Sequence, residues 1–130
     1  MSRLGQWSPY ALAALRIVAA LLFVEHATVK FFAFPTAMSG SGGALPPIIV
    51  VAGLIELIGG SLIALGLFTR PAAFVASGMS AAAYFIGHAS RSFWPAINQG
   101  EAAIMFCFIF LYLACAGPGA WSIDGMRRRG

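Results

Sequence analysis

Residues 21–32, LLFVEHATVKFF, set a glutamate, a histidine and a lysine within six positions of an otherwise apolar stretch. Ionisable groups in such a run are costly in lipid and are functional candidates by default. Reading outward, the same run continues from about position 9 to about 34, beyond the roughly 20 residues that cross a bilayer. The rest of the chain agrees. Its 130 residues are 60% hydrophobic and only 9% charged, with a mean hydropathy of +0.86. Soluble domains carry about 25% charged residues, so the composition points to a membrane protein of one domain, residues 1–130.

The formal charge of +4 does not imply a nucleic-acid partner. Arg3, Arg70, Arg127, Arg128 and Arg129, with Asp124 among them, account for all of it and lie outside the apolar runs. Within those runs and at their margin, Arg16, Lys30 and Arg91 balance Glu25, Glu56 and Glu101. A basic excess confined to flanks and loops is a topology signal.

Apolar runs and their punctuation predict an all-α fold, a transmembrane four-helix bundle with helices at about 9–34, 46–68, 71–90 and 100–117. Pro35 and the run Ser39-Gly40-Ser41-Gly42-Gly43 end the first, and Pro46-Pro47 open the second. Thr69-Arg70-Pro71 reads as a tight turn, Arg91 to Gly100 as a polar loop, and Gly117-Pro118-Gly119 as the stop of the fourth. Four spans put both termini on one side. That side holds Arg3, Arg70 and the arginine tail, so the positive-inside rule places both termini in the cytoplasm. The first span is too long, and too charged inside, for a signal peptide. Trp7, Tyr10, Trp94 and Trp121 fall at the expected interfaces. Small residues recur every four positions, as Ala52, Glu56, Gly60, Ala64 and as Ala72, Ala76, Ser80, Tyr84, His88, a spacing that favours close helix approach.

Helical rise sets the depth of the polar groups. His26 and His88 each lie about 25 Å above the start of their helices, near the outer surface with Glu101 and Arg91. Glu56 falls about 14 Å below the outer end of the second helix, close to the midplane. Arg16 lies about 10 Å above the inner face, and its side chain is expected to reach Glu56 as a buried ion pair. On the helical wheel Arg16, Ala20, Phe23, Ala27 and Lys30 share one face, with Glu25 about 180° from Arg16. Lys30 therefore points into the bundle, His26 sits at its edge, and Glu25 points outward, toward a protein partner or the headgroups. His26, Lys30, Glu56, Tyr84, His88 and Glu101 are the candidate lining of a polar pocket open to the outside, suited to a quinone carbonyl, another small polar head or protons. The competing account makes them interhelical links and interfacial side chains. Two histidines at one depth also allow haem ligation.

Other chemistry finds no pattern. Cys107 and Cys115 are about 12 Å apart along one helix, too far for a disulfide between them. Phe106, Phe108 and Phe110 read as lipid contacts. No phosphate loop, zinc spacing or Ser-His-Asp pattern is present.

Several pieces of the sequence recur together elsewhere. Arg16 with Phe23, His26 and Lys30, then ELIGG at 56–60, LGLFTRPAA at 65–73, NQGE at 98–101 and GPGAWSID at 117–124 make the chain resemble the DoxX family of small four-helix inner-membrane proteins. The resemblance covers nearly the whole chain. It departs at Ala27, where glycine is usual, at Glu25, usually apolar or aromatic, and at Ala120, often basic. The family takes its name from a membrane component of an archaeal thiosulfate:quinone oxidoreductase or quinol oxidase, and some relatives associate with thiol and superoxide redox enzymes. The resemblance therefore implies a bacterial or archaeal inner-membrane location, an auxiliary or anchoring role beside redox-enzyme subunits, and quinone as the cofactor class. An oligomeric carrier for a small solute or for protons is the alternative expectation.

Overall fold

The computed structural model describes residues 3–36 and 45–129, and among these the regular structure is entirely helical. The Ser39 to Gly43 run, read as ending the first helix, lies outside the described residues. A 3₁₀ turn, Arg3–Trp7, leads into α1, Ser8–Phe32. α2 is Pro47–Leu65, α3 is Thr69–Gly87, α4 is Glu101–Ala116, and α5 is the short Ile123–Arg129. Arg3–Phe32, Pro47–Leu65 and Thr69–Arg91 are each long and apolar enough to cross a membrane, while Glu101–Ala116 is apolar but shorter, at 16 residues.

Helix ends follow the chain's punctuation, with two shifts. Pro9 and Pro47 stand in the first turns of α1 and α2, where a missing N–H costs nothing. α1 stops at Ala33, which turns left-handed (φ 51°) and donates its N–H to the Thr28 carbonyl. The turn between α2 and α3 is earlier than Thr69-Arg70-Pro71. It runs through Gly66 (φ 70°) and Phe68 (φ 50°), so that Thr69 already opens α3. Glycine is required at 66 for a second reason: a Cβ there would lie 2.4 Å from Ser122 Cβ.

Packing is antiparallel and tight between α1 and α2. A Cβ on Gly53 would strike the Phe31 ring at 2.5 Å, and one on Gly60 would strike Val24 Cγ2 at 2.6 Å and the Ala20 carbonyl at 3.2 Å. The buried stripe of α2 is therefore Gly53, Glu56, Gly60 and Ile63, rotated from the expected four-residue series, and Ala52 and Ala64 are only half-buried. On α3 the buried residues are Thr69, Ala73, Ala76, Ser77 and Ser80, with Ser77 donating to the Cys107 carbonyl of α4 at 2.7 Å. Phe23 wedges against Phe110 (4.8 Å, edge-on) and Phe106 (5.4 Å) in a core that also takes Ile63 and Leu113. Phe106 and Phe110 are thus core residues rather than lipid contacts, and of the three only Phe108 is exposed.

Neighbouring glycines should respond with opposite signs. Gly60→Ala is expected to lose about 1–3 kcal/mol by overpacking against Val24 and the α1 backbone. Gly59→Ala meets nothing within 4 Å and should gain about 0.5–1 kcal/mol of helix propensity. Thermal melts of both variants in detergent check this, and equal signs would contradict the helix contact.

The end of the molecule where α1 and α3 begin is knitted by the C-terminal segment. Arg16, completely buried, donates through Nη1 to the carbonyls of Pro118 and Ala120 and through Nη2 to Trp121 (2.9 Å) and Ala64 (3.5 Å). The expected Arg16–Glu56 ion pair does not form. Gly53 faces Phe31 and Gly60 faces Val24, seven residues apart on each helix in opposite senses. Continuing that register sets Glu56 opposite Thr28, about 18 Å along the axis from Arg16. α1 extends past the end of α2, so helix starts that looked level are offset.

Asp124 closes the same knot. Its carboxylate accepts the N–H groups of Phe68 and Thr69, each at 2.9 Å, capping the start of α3, while its own N–H goes to the Gly66 carbonyl. Partial burial pushes the carboxyl up, but the Thr69 and Phe68 N–H groups and the Arg127 charge outweigh it and hold Asp124 below the ordinary aspartate range. A lowered folded-state value means this contribution is complete above the unfolded value of about 3.9 and is lost as pH falls through the folded value. Asp124→Ala is expected to cost about 1 kcal/mol, as for a helix cap, and to remove part of the acid destabilisation below pH ~4. Melting curves from neutral to acid pH test this, and an unchanged acid limb would contradict it.

Candidate functional site

Toward the other end of α1 and α2, the polar groups singled out from the sequence separate into two clusters, with Glu101 apart from both. The first cluster is an ion pair. Lys30 Nζ lies 2.8 Å from Glu56 Oε1, with only 13% and 5% of the two side chains exposed. Lys30 is reached from the buried face of α1, one step on from Ala27. Glu56 is presented by a widened turn: Ile55–Gly59 is a π-helical segment in which the Gly60 N–H reaches back to Glu56 and Leu57. Such turns are rare and recur at functional sites. Among the described residues this is the one carboxylate–cation pair within bonding distance.

Beside it, an open recess of about 260 Å³ is lined by Glu25, His26, Val29 and Lys30. The His26 ring stands edge-on to Phe106 at 5.6 Å while the residue remains exposed, and Glu25 is fully on the outer side of α1. The face assignments made from the helical wheel therefore describe α1: Arg16, Ala20, Phe23 and Ala27 are buried and Glu25 is exposed.

The second cluster gathers around Asn98, which is completely buried although it lies in the loop. Its Nδ2 donates to Tyr84 Oη and to the Ser92 carbonyl, both at 3.0 Å, and its Oδ1 accepts the Gly100 N–H at 2.8 Å. The Asn98 carbonyl accepts from His88 Nδ1 at 3.0 Å. A carbonyl only accepts, so Nδ1 is the donor in this contact. Tyr84 and His88 stack at 6.5 Å. These contacts fix a loop that also contains a 3₁₀ turn, Ala89–Arg91, and a helical turn, Pro95–Asn98. The sequence reading does not place Asn98 among the site residues. Periodicity is silent in a loop, and the available signal was an amide amid proline and glycine within the NQGE motif.

Glu101 stands apart, exposed at the first position of α4 and without a side-chain partner. His26 and His88 share no hydrogen bond or ring contact; each ring packs on its own aromatic neighbour. Among the described residues no group of three or more His, Cys, Asp or Glu side chains is placed to hold a metal ion. Cys107 and Cys115 are free thiols.

The arrangement supplies a desolvated ammonium–carboxylate pair bordered by an accessible imidazole. It can donate hydrogen bonds to an acceptor in the recess, and it can hold or pass a proton. The other motif segments occupy structural posts: Arg16, the Gly66 turn and the GPG stretch form the knot, and Asn98 anchors the loop.

Two known proteins are similar in sequence over nearly the whole chain. An uncharacterised protein of Haemophilus influenzae is 45% identical over 128 residues, covering 95% of this chain and 96% of its own. The inner membrane protein YphA of Escherichia coli K12 is 30% identical over 132 residues, covering 92% of each chain. No solved structure matches. The DoxX family model matches residues 11–89, a stretch that holds both Arg16 and the Lys30–Glu56 pair, and this chain is therefore a membrane protein of the DoxX family.

Proposed function

We propose that the chain is a single-domain, multi-pass protein of the bacterial inner membrane, a bundle of four spans with both termini cytoplasmic. It serves there as an auxiliary or anchoring subunit of a redox complex and offers a quinone-type head a polar site toward the outer side. The observation that carries this reading is the buried Lys30–Glu56 pair in the widened turn of α2, bordered by the His26 recess. A quinone carbonyl accepts hydrogen bonds from Lys30 and His26, and Glu56 balances the lysine charge. The partner enzyme supplies the electrons. Tyr84 and His88 hold the loop that follows α3. The name of the Escherichia coli relative supports the membrane assignment, and the arginine distribution supports the orientation.

The test is native purification in mild detergent, with mass spectrometry of co-purifying proteins and lipid-soluble cofactors. A redox enzyme or stoichiometric quinone is expected, and Glu56→Gln and His26→Ala should reduce quinone recovery at least tenfold. Unchanged quinone recovery and unchanged partner binding in both variants would end the pocket reading.

One observation favours a second reading, the oligomeric carrier. Glu25 is exposed on the outward face of α1, where a second copy would shield it from lipid. A strictly monomeric particle in mild detergent would remove that reading.

A further inference from the structure

A second recess lies away from the Lys30–Glu56 pair. It opens between the start of α3, the turn after α4, and α5, has a volume of about 440 Å³, and is lined by Arg70, Arg127, Arg128, Asp124, Phe68 and Pro118 among others. Three guanidinium groups thus face one carboxylate, and that carboxylate is committed: both Asp124 oxygens accept backbone N–H groups. Among the described residues none of the three arginines forms an ion pair.

Two of the three are held in place by other means. Arg70 donates Nη1 to the carbonyls of Ala114 and Cys115 in the last turn of α4, and its Nη2 lies against Gly117. A Cβ at Gly117 would sit 3.1 Å from that nitrogen, so the positive-φ glycine of the GPG turn gives the guanidinium its room. Arg127 lies over the Phe68 ring at 5.5 Å. The third, Arg128, is exposed at the rim. A fork of fixed N–H donors with net positive charge and an apolar wall is the chemistry that binds a phosphate group.

We infer that this recess is a phosphate-binding site formed by Arg70, Arg127 and Arg128. Its neighbours indicate where the phosphate comes from. Trp7, Tyr10 and Trp121 pack in series at the same end, their rings tilted 55° to one another at 5.8 and 5.3 Å, and Trp121 lies in the segment joining Pro118 to Asp124. Such aromatic residues gather at headgroup depth, which favours the phosphodiester of an anionic phospholipid over a soluble phosphate. The site is independent of the redox reading and would stand if that reading fell.

The experiment uses the full chain in a non-ionic detergent and follows its melting temperature during titration with short-chain phosphatidylglycerol, with phosphatidylcholine of equal chain length, and with inorganic phosphate. Phosphatidylglycerol is expected to raise the melting temperature saturably, and phosphatidylcholine to leave it unmoved. Removal of two charges in Arg127→Gln/Arg128→Gln should weaken the apparent affinity about thirtyfold. Arg128→Gln disturbs no other contact and should by itself weaken it about fivefold without changing the lipid-free melt. Full saturable stabilisation by inorganic phosphate would support the phosphate site and assign it to a soluble ligand. Equal stabilisation by both lipids, or an unchanged response in the two variants, would overturn the site.

Discussion

Arg16→Ala is expected to detach the C-terminal segment and to lower stability by about 3–5 kcal/mol. One side chain satisfies four carbonyls from two parts of the chain, Ala64 at the end of α2 and Pro118, Ala120 and Trp121 after α4. A hydrogen bond to a charged group contributes about 1.5–3 kcal/mol, and buried carbonyls left unpaired add a penalty of their own. The loss is moderated because part of the segment is near the surface, Trp121 being exposed. Limited proteolysis after the GPG turn, read with the detergent melt, measures both effects. Arg16→Lys should recover less than half of the loss, because a point-like ammonium cannot spread donors over both groups of carbonyls as a planar guanidinium does. Resistance to protease and an unaltered melt in Arg16→Ala would refute the clamp.

Lys30→Met should be the second most damaging change, and far worse than Glu56→Gln. Removing one partner of a buried pair costs about 3–5 kcal/mol because a bare charge is left behind. For Glu56, 4% exposed and nine residues into α2, the only escape is to take up a proton. For Lys30, two residues from the end of α1, the side chain can turn toward the surface when its partner is neutral. The double variant Lys30→Met/Glu56→Gln should therefore recover most of the stability lost in Lys30→Met. A cycle of melts over the four proteins decides the matter. Equal losses in the two single variants, or no recovery in the double, would mean that the pair does not hold the helices.

Much of the architecture was readable from the chain because it rests on local rules. The face of α1 carrying Arg16, Ala20, Phe23 and Ala27 follows from 3.6 residues per turn, and so does the outward placement of Glu25. Pro47 marks the start of α2 through the φ angle it fixes and the N–H it lacks. The long apolar runs marked the three helices suited to a membrane.

What the chain alone left open depends on how one helix slides or turns against another. Glu56 pairs with Lys30 instead of Arg16 because the contacts of Gly53 with Phe31 and Gly60 with Val24 set the axial offset of α1 and α2. A one-dimensional pattern records angle around an axis but not displacement along a neighbour. α4 is apolar on every side, so no polar stripe announced that Phe106 and Phe110 face the core while Phe108 faces out. The π turn that presents Glu56, and the burial of Asn98 within a loop, likewise arise from packing. The sequence by itself determined the helices, their ends to within a few residues and the faces of α1, since these are properties of single helices. The tertiary structure alone decided which charges meet, because that depends on the offset and rotation fixed by close contact between helices.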